Sequence, residues 1–269
     1  MLKTLLPEPE QIAHRQRDIG RRGLHGWPSD TPEDLLHIER FRLWLSALDQ
    51  QATLEHPLQP LKLPVQRGFS PRMAYYFALG DYEQADLQLI DEYIRSGDKV
   101  MECGVGAGVT GSLAGLRSGN PVCLVEPNER LYPQIARTFA VNGQQYQLVE
   151  AAVVADAFVG EQLQLAVFDE YWWSSSVARE HPDHLPSVPV RRLSELLAEY
   201  RPTVLILDIE GAEQGLFPAS LPEELRLIML EIHTPDIGDR ATAEIVSSIM
   251  GQGFRLCRLL AQTWLFERC

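Results

Sequence analysis

Two acids and three glycines carry the first chemical signal in this chain. Glu102 lies near the end of the apolar run Val100–Cys103, and Gly104, Gly106 and Gly108 follow at alternate positions. Lacking a Cβ, glycines at this spacing let the backbone turn sharply and come close to a ligand. About twenty residues later a second apolar run, Val122–Val125, ends in Glu126. A strand, a glycine turn, a helix and a second strand ending in an acid make a nucleoside-binding half of a Rossmann-like fold.

The spacing bears on which nucleoside. A dinucleotide fingerprint needs G-x-G-x-x-G, its third glycine opening the helix under the pyrophosphate. Counted from Gly104 that position is Val109, and the glycine falls one residue early. This disfavours a nicotinamide-dependent oxidoreductase, the alternative from another class. The acid at 102 suits a ligand with a cationic amine. S-adenosylmethionine fits, with Glu126 accepting hydrogen bonds from the ribose hydroxyls as acids at that strand tip do. Its product would be S-adenosylhomocysteine.

These residues need a frame. From Gly80 onward, strands and helices alternate. Helices are expected over 85–96, 109–116, 131–142, 191–200 and 241–251, with Pro133 tolerable only in a first turn. Strands are expected over 99–103, 122–126, 147–154, 163–168, 203–208 and 225–231, with a closing hairpin of 253–259 and 263–268. Strands buried on both faces and alternating with helices imply a parallel sheet, and the hairpin implies an antiparallel edge. Ligands in such sheets sit beyond the carboxyl ends of the strands, so the acids at 102, 126, 208 and 231 point into one crevice.

The first quarter differs. A helix is expected near 8–19, then a loop through Gly26–Ser29. Thr31 caps a second helix, with Pro32 in its first turn and Glu33 and Asp34 at its positive end. Leu35, Leu36, Ile38, Phe41, Leu43, Trp44, Leu45 and Leu48 recur near helical spacing, making it amphipathic to about Gln51. Pro57, Pro60 and Pro64 then suggest an extended linker. We expect residues 1–68 to form a helical extension, a cap or a homodimerisation arm, ahead of a cofactor-binding domain over 69–269.

Composition narrows the function. The chain has 269 residues, 45% of them hydrophobic, and a net charge of −13. Nucleic-acid phosphates require a basic face, so no nucleic-acid partner is expected. Arg15, Arg17, Arg21 and Arg22 read as a solvated helix face. Cys103, Cys123, Cys257 and Cys269 show no metal-binding spacing, and the first pair reads as small apolar residues in buried strands. No leader or apolar run of membrane length is evident. A reduced, cytoplasmic protein is expected, with no membrane partner and a small-molecule acceptor.

Asp208-Ile-Glu-Gly-Ala-Glu213 directly follows a buried strand. Together with the glycine turn and Val125-Glu-Pro127, it resembles the FkbM-type methyltransferase family, over about residues 78–269. Tyr82-Glu83, Asn128, Asn142, Glu150–Val153, Val188–Leu197 and Glu231-Ile-His233 fit as well. Glu102 departs from the family's usual Asp, and Ser194 stands where an acid is common. The resemblance implies an α/β class I methyltransferase fold, Rossmann-like, with a mostly parallel seven-stranded sheet and an antiparallel C-terminal edge hairpin. It implies S-adenosylmethionine as cofactor, held by Glu83, Glu102, Gly104, Gly106, Gly108, Glu126, Asn128, Ala151 and Asp208. It also implies O-methylation of a sugar or natural-product hydroxyl.

Methyl transfer from a sulfonium is an in-line displacement in which positioning matters most. An alcohol acceptor also needs a base. His233 is the expected base because it titrates near neutrality, with Asp208 as its partner. Asp208, Glu210, Glu231 and His233 could instead hold a hard divalent cation, the less favoured reading. Glu210 and Glu213 could also cap a following helix. N- or carboxylate methylation remains the alternative on the same scaffold. Trp172 and Trp173 are candidates to wall a pocket. His181 and His184 have metal-like spacing, but Pro182 and Pro186 make a surface loop the better reading.

Overall fold

The computed structural model describes residues 5–6, 30–168, 174–175 and 182–269. The expected helix near 8–19, the loop at 26–29, the arginines at 15–22, Trp172, Trp173 and His181 lie outside them.

A seven-stranded sheet organises the molecule. Its order is β13-β14-β12-β11-β3-β4-β5, formed by β3 (Val100–Cys103), β4 (Val122–Val125), β5 (Tyr146–Val149), β11 (Val204–Leu207), β12 (Leu227–Glu231), β13 (Phe254–Leu260) and β14 (Thr263–Arg268). The strands from β12 to β5 pair in parallel, and β14 runs antiparallel to both β12 and β13. This is the Rossmann-like, mostly parallel architecture expected from the sequence, with its antiparallel closing hairpin. The chain leaves β3 outward to β4 and β5, then returns to start again at β11 on the other side. The switch point therefore lies between β3 and β11, where a ligand crevice forms in such sheets.

Side chains alternate across the sheet. Val100, Val122, Leu124, Val204 and Ile206 face one helical layer, made of α3 (Gln84–Tyr93), α4 (Val109–Ser118) and α5 (Tyr132–Val141). Met101, Cys103, Cys123, Val125, Leu205 and Leu207 face the other, made of α6 (Leu193–Tyr200) and α7 (Thr234–Met250). Burial on both faces explains why β3, β4 and β11 read as unbroken apolar runs.

The first helix, α1 (Pro32–Ser46), has the expected cap: Asp34 N–H donates to Thr31 Oγ1 at 3.1 Å and Thr31 N–H to Asp34 Oδ2 at 2.9 Å. Its buried side is Asp34, His37, Phe41 and Leu45, while Leu35, Leu36 and Leu43 are exposed. It packs on α2 (Pro71–Leu79), where the Tyr75 hydroxyl donates to Asp34 at 2.9 Å and the Tyr76 hydroxyl to Asp30 at 2.7 Å.

The linker expected around Pro57–Pro64 is instead a hairpin, β1 (Ala52–Glu55) with β2 (Lys62–Val65). Pro64 is accommodated because a two-stranded ribbon has only edges. The hairpin is tied to α5: Lys62 N–H donates to Asn142 Oδ1 at 2.8 Å, and Gln134 Nε2 donates to the Pro64 carbonyl at 2.9 Å. Leu54, Leu63 and Val65 thereby join the same core as Phe77, Leu113 and Ile135.

Three further expectations are corrected. The strand expected over 147–154 divides at Glu150: β5 stays in the main sheet, while β6 (Ala152–Val154) pairs with β10 (Ser187–Arg192). The strand expected at 163–168 is two short pieces: β7 (Gln162–Gln164), which joins β10, and β8 (Ala166–Val167), which pairs with β9 (Ser174–Ser175). No helix follows Asp208 directly, so Glu210 and Glu213 cap none; residues 209–226 run as turns and bends. His184 bridges Val167.

Candidate active site

The crevice is built where the loops after β3 and β11 meet. Gly104 has φ +79°, and the Asp208 carbonyl oxygen occupies the space a Cβ would need there. The loops are also tied: Asp208 N–H donates to the Cys103 carbonyl at 3.0 Å, and Gly104 N–H to the Val125 carbonyl at 3.0 Å. Gly106 lies beneath Tyr82, whose hydroxyl would sit 3.4 Å from a Cβ at that position. Gly108, also at positive φ, starts α4.

Glu126 locks this turn from the next strand. It is 3% exposed. Its Oε2 accepts from Val105 N–H at 2.9 Å and its Oε1 from Asn128 N–H at 2.8 Å. Burial pushes its carboxyl up to about 7, against the backbone N–H groups that favour the anion. Asn128 is buried and accepts from Arg130 N–H at 3.2 Å, shaping the turn before α5. Ala151 is buried where the chain leaves β5 for β6.

The structure places Glu102 within β3, facing α4. It is 1% exposed and accepts a short hydrogen bond from Thr110 Oγ1, while its Oε2 lies against Gly111. Burial raises its pKa to about 8, against the Thr110 bond, with Asp208, Asp86 and Glu126 adding to the rise.

Opposite the glycine turn, the remaining acids gather. Asp208, Glu210 and His233 present side-chain atoms within 4.8 Å of one another, as do Glu83, Asp208 and Glu231. Asp208 belongs to both groups. Asp86 joins them from α3, accepting from the Thr263 hydroxyl, and burial lifts it to about 7, with Asp208 adding to the rise. Glu83 and Glu231 are pushed well above the usual carboxylate range, first by burial and then by their acidic neighbours. Glu83 and Glu210 both hold left-handed backbone conformations, φ 49° and 53°. Such strain persists where the surroundings over-determine it, commonly at functional sites.

His233 sits among these acids, just before α7. Its Nδ1 is 2.9 Å from Glu213 Oε1. Its Nε2 is 3.5 Å from Glu210 Oε2 and 3.7 Å from Asp208 Oδ1. Burial alone would lower its pKa. The Glu213 bond and the charges of Asp208, Glu210 and Glu213 outweigh that and raise it to about 9.

The residues suit S-adenosylmethionine. A group of buried carboxylates, held above their usual pKa first by burial and then by one another, is relieved by a cationic ligand, and Glu126 stands beside the glycine turn where a ribose diol would lie. The expected residues Glu83, Asp208 and His233 come together here, and Gly104, Gly106 and Glu126 form the adjoining wall. Asp86 and Glu213 were not singled out for this site from the sequence. Asp86 carries no local signal, since its place depends on Thr263, 177 residues away. Glu213 had one, as the last acid of the motif at 208–213.

Comparison with known proteins follows the same line. The family model of the methyltransferase FkbM domain matches residues 102–256. No curated protein matches the chain in sequence. Among solved structures, a Streptococcus mutans chain ascribed S-adenosylmethionine-dependent methyltransferase activity superposes with TM-score 0.43 at 10% identity, covering 82% of this chain and 56% of that one. This chain thus spans little more than half the length of that relative. Precorrin-6y C5,15-methyltransferase from Geobacter metallireducens gives TM-score 0.42 at 11% identity, covering 70% and 86%. Aeropyrum pernix fibrillarin with natively bound S-adenosylmethionine gives 0.39 at 11%, covering 68% and 73%.

Proposed function

This chain carries the S-adenosylmethionine-dependent methyltransferase domain of the FkbM family and belongs to that family, and from that premise we propose that it O-methylates a hydroxyl group of a small metabolite, sugar or natural-product intermediate. The observation that carries the reading is His233. It is a titratable ring on the crevice, with Nε2 facing Asp208 and Glu210 beside the glycine turn.

When bound, S-adenosylmethionine supplies a methyl group on a cationic sulfur and leaves as the neutral thioether. Glu126 and the glycine turn hold the nucleoside, and Glu83, Asp208 and Glu231 receive the positive charge. His233 takes the acceptor's hydroxyl proton at Nε2, and Asp208 orients the acceptor. A base so placed contributes about 10²–10⁴-fold. With its pKa raised to about 9, the ring is mostly imidazolium at neutral pH, so turnover should climb toward alkaline pH.

A carboxylate acceptor is disfavoured by the acids that line this crevice. An amine acceptor is the second reading, favoured by the same acids. The test begins with calorimetric titration by S-adenosylhomocysteine, with NAD as control, followed by transfer of labelled methyl to alcohol, amine and carboxylate acceptors. Binding of NAD in preference to S-adenosylhomocysteine, or transfer only to carboxylates, would refute the proposal, and transfer only to amines would replace it with the second reading.

A further inference from the structure

We propose that Glu213 is a positioning residue for His233, fixing the imidazole so that Nδ1–H points at Glu213 and Nε2 points into the crevice. The inference rests on the reading of His233 as the base. Glu213 is 0% exposed, in the loop after β11, with its Oε1 shared between two donors: Gly211 N–H at 2.9 Å and His233 Nδ1 at 2.9 Å. Its Oε2 has no hydrogen-bond partner among the described residues.

A buried carboxylate with one oxygen unsatisfied is costly unless a charge or donor compensates it. His233 is the only cationic side chain paired with it among the described residues. The pair thus has the logic of a base held by a buried acid: the acid selects the tautomer, orients the ring and stabilises the imidazolium formed when a proton arrives. A neutral ring donating Nδ1–H to Glu213 carries its lone pair on Nε2, the nitrogen toward Asp208 and Glu210. Neither of those lies close enough for a good hydrogen bond, at 3.7 and 3.5 Å. In this geometry an acceptor hydroxyl becomes Nε2's natural partner.

Other charges surround the pair. Asp208 and Glu210 face the ring from the same loop as Glu213, and Glu231 ends the strand that leads into His233. Glu83 and Asp86 at the start of α3 are further acids near Asp208, both held above their ordinary range first by burial. Glu213 differs from all of them in touching Nδ1.

Histidine NMR on the purified full chain tests this without any acceptor. In the wild type, the neutral His233 ring is expected in the Nδ1–H tautomer. Glu213→Gln keeps an oxygen acceptor but removes the charge, so the His233 titration should move down by about one pH unit or more. In turnover, the limb that rises with pH should move to lower pH in that variant, and on the alkaline plateau, where the ring is neutral in both proteins, its kcat should fall about tenfold or more. Its affinity for S-adenosylhomocysteine should be unchanged. An Nε2–H tautomer in the wild type would overturn the proposal even if Glu213→Gln does not fold. So would an unshifted His233 titration in Glu213→Gln. The base reading has its own control: full activity in His233→Asn removes both, whereas an inactive His233→Asn beside a fully active Glu213→Gln overturns the Glu213 assignment alone.

Discussion

The main-chain carbonyl of Asp208 fills the space that a side chain would need at Gly104. The two loops that form the crevice are therefore in contact at their backbones, with no room for adjustment. Gly104→Ala must both adopt positive φ and push the β11 loop away. We expect a loss of about 2–5 kcal/mol in denaturant unfolding, together with loss of S-adenosylhomocysteine binding. An alanine variant of wild-type stability would contradict this packing.

Glu126 joins two loops by accepting from the backbone N–H groups of Val105 and Asn128, and it is the proposed partner of the ribose. Glu126→Ala removes both bonds and, with them, the proposed ribose acceptor. Hydrogen bonds to a charged group contribute about 1.5–3 kcal/mol each, so S-adenosylhomocysteine affinity should fall at least tenfold. Calorimetry on wild type and variant decides it, and equal affinities would remove Glu126 from the binding site.

His233→Asn should lower kcat by about 10²–10⁴-fold while sparing S-adenosylhomocysteine binding. The wild-type rate should rise with pH as imidazolium is lost, in a limb that ends near the ring's pKa. A nearby cationic ligand opposes the imidazolium, so the His233 titration should move to lower pH when S-adenosylmethionine is present. A limb centred on the usual histidine value in both states would argue against the acidic surroundings described.

The ligand-free protein should lose stability as pH rises from about 5 to 9. Asp86, Glu102 and Glu126 have folded pKa values raised to about 7, 8 and 7, above the unfolded values near 4. Between those limits the folded state binds more protons than the unfolded, so stability falls with pH. His233, raised to about 9, acts in the same direction from its unfolded value near 6.5. Thermal melts across this range should show Tm decreasing. S-adenosylmethionine should stabilise more at pH 8 than at pH 5.5, because its charge compensates acids that have by then ionised. A flat or rising profile in the ligand-free protein would contradict the clustering.

Much of the main sheet was legible because its central strands are buried on both faces and read as continuous apolar runs. The hairpin at 52–65 was not. Its strands are four residues long and sit among Pro57, Pro60 and Pro64, so the only local signals were breakers. The division at Glu150 was hidden for the opposite reason: residues 147–154 form one β-prone stretch with no glycine or proline where the chain changes sheets. In the site, Asp208 and His233 were accessible as residues at or just past strand tips. The Glu213–His233 contact was not, since it spans 20 residues of turns and the following strand, where no periodicity fixes distance. Glu102 was expected to point into the crevice, but side chains alternate along β3, and as its penultimate residue Glu102 faces α4.

The left-handed backbone at Glu83 and Glu210 sets two opposing selective pressures. Glycine would relax either position and lower the conformational strain, so Glu83→Gly and Glu210→Gly should melt at or above the wild-type temperature. Each would also remove a carboxylate from the crevice and weaken S-adenosylmethionine binding, measurable by calorimetry. Breeding this enzyme for heat tolerance alone would therefore tend to disarm it, and any such campaign should screen for turnover at every round.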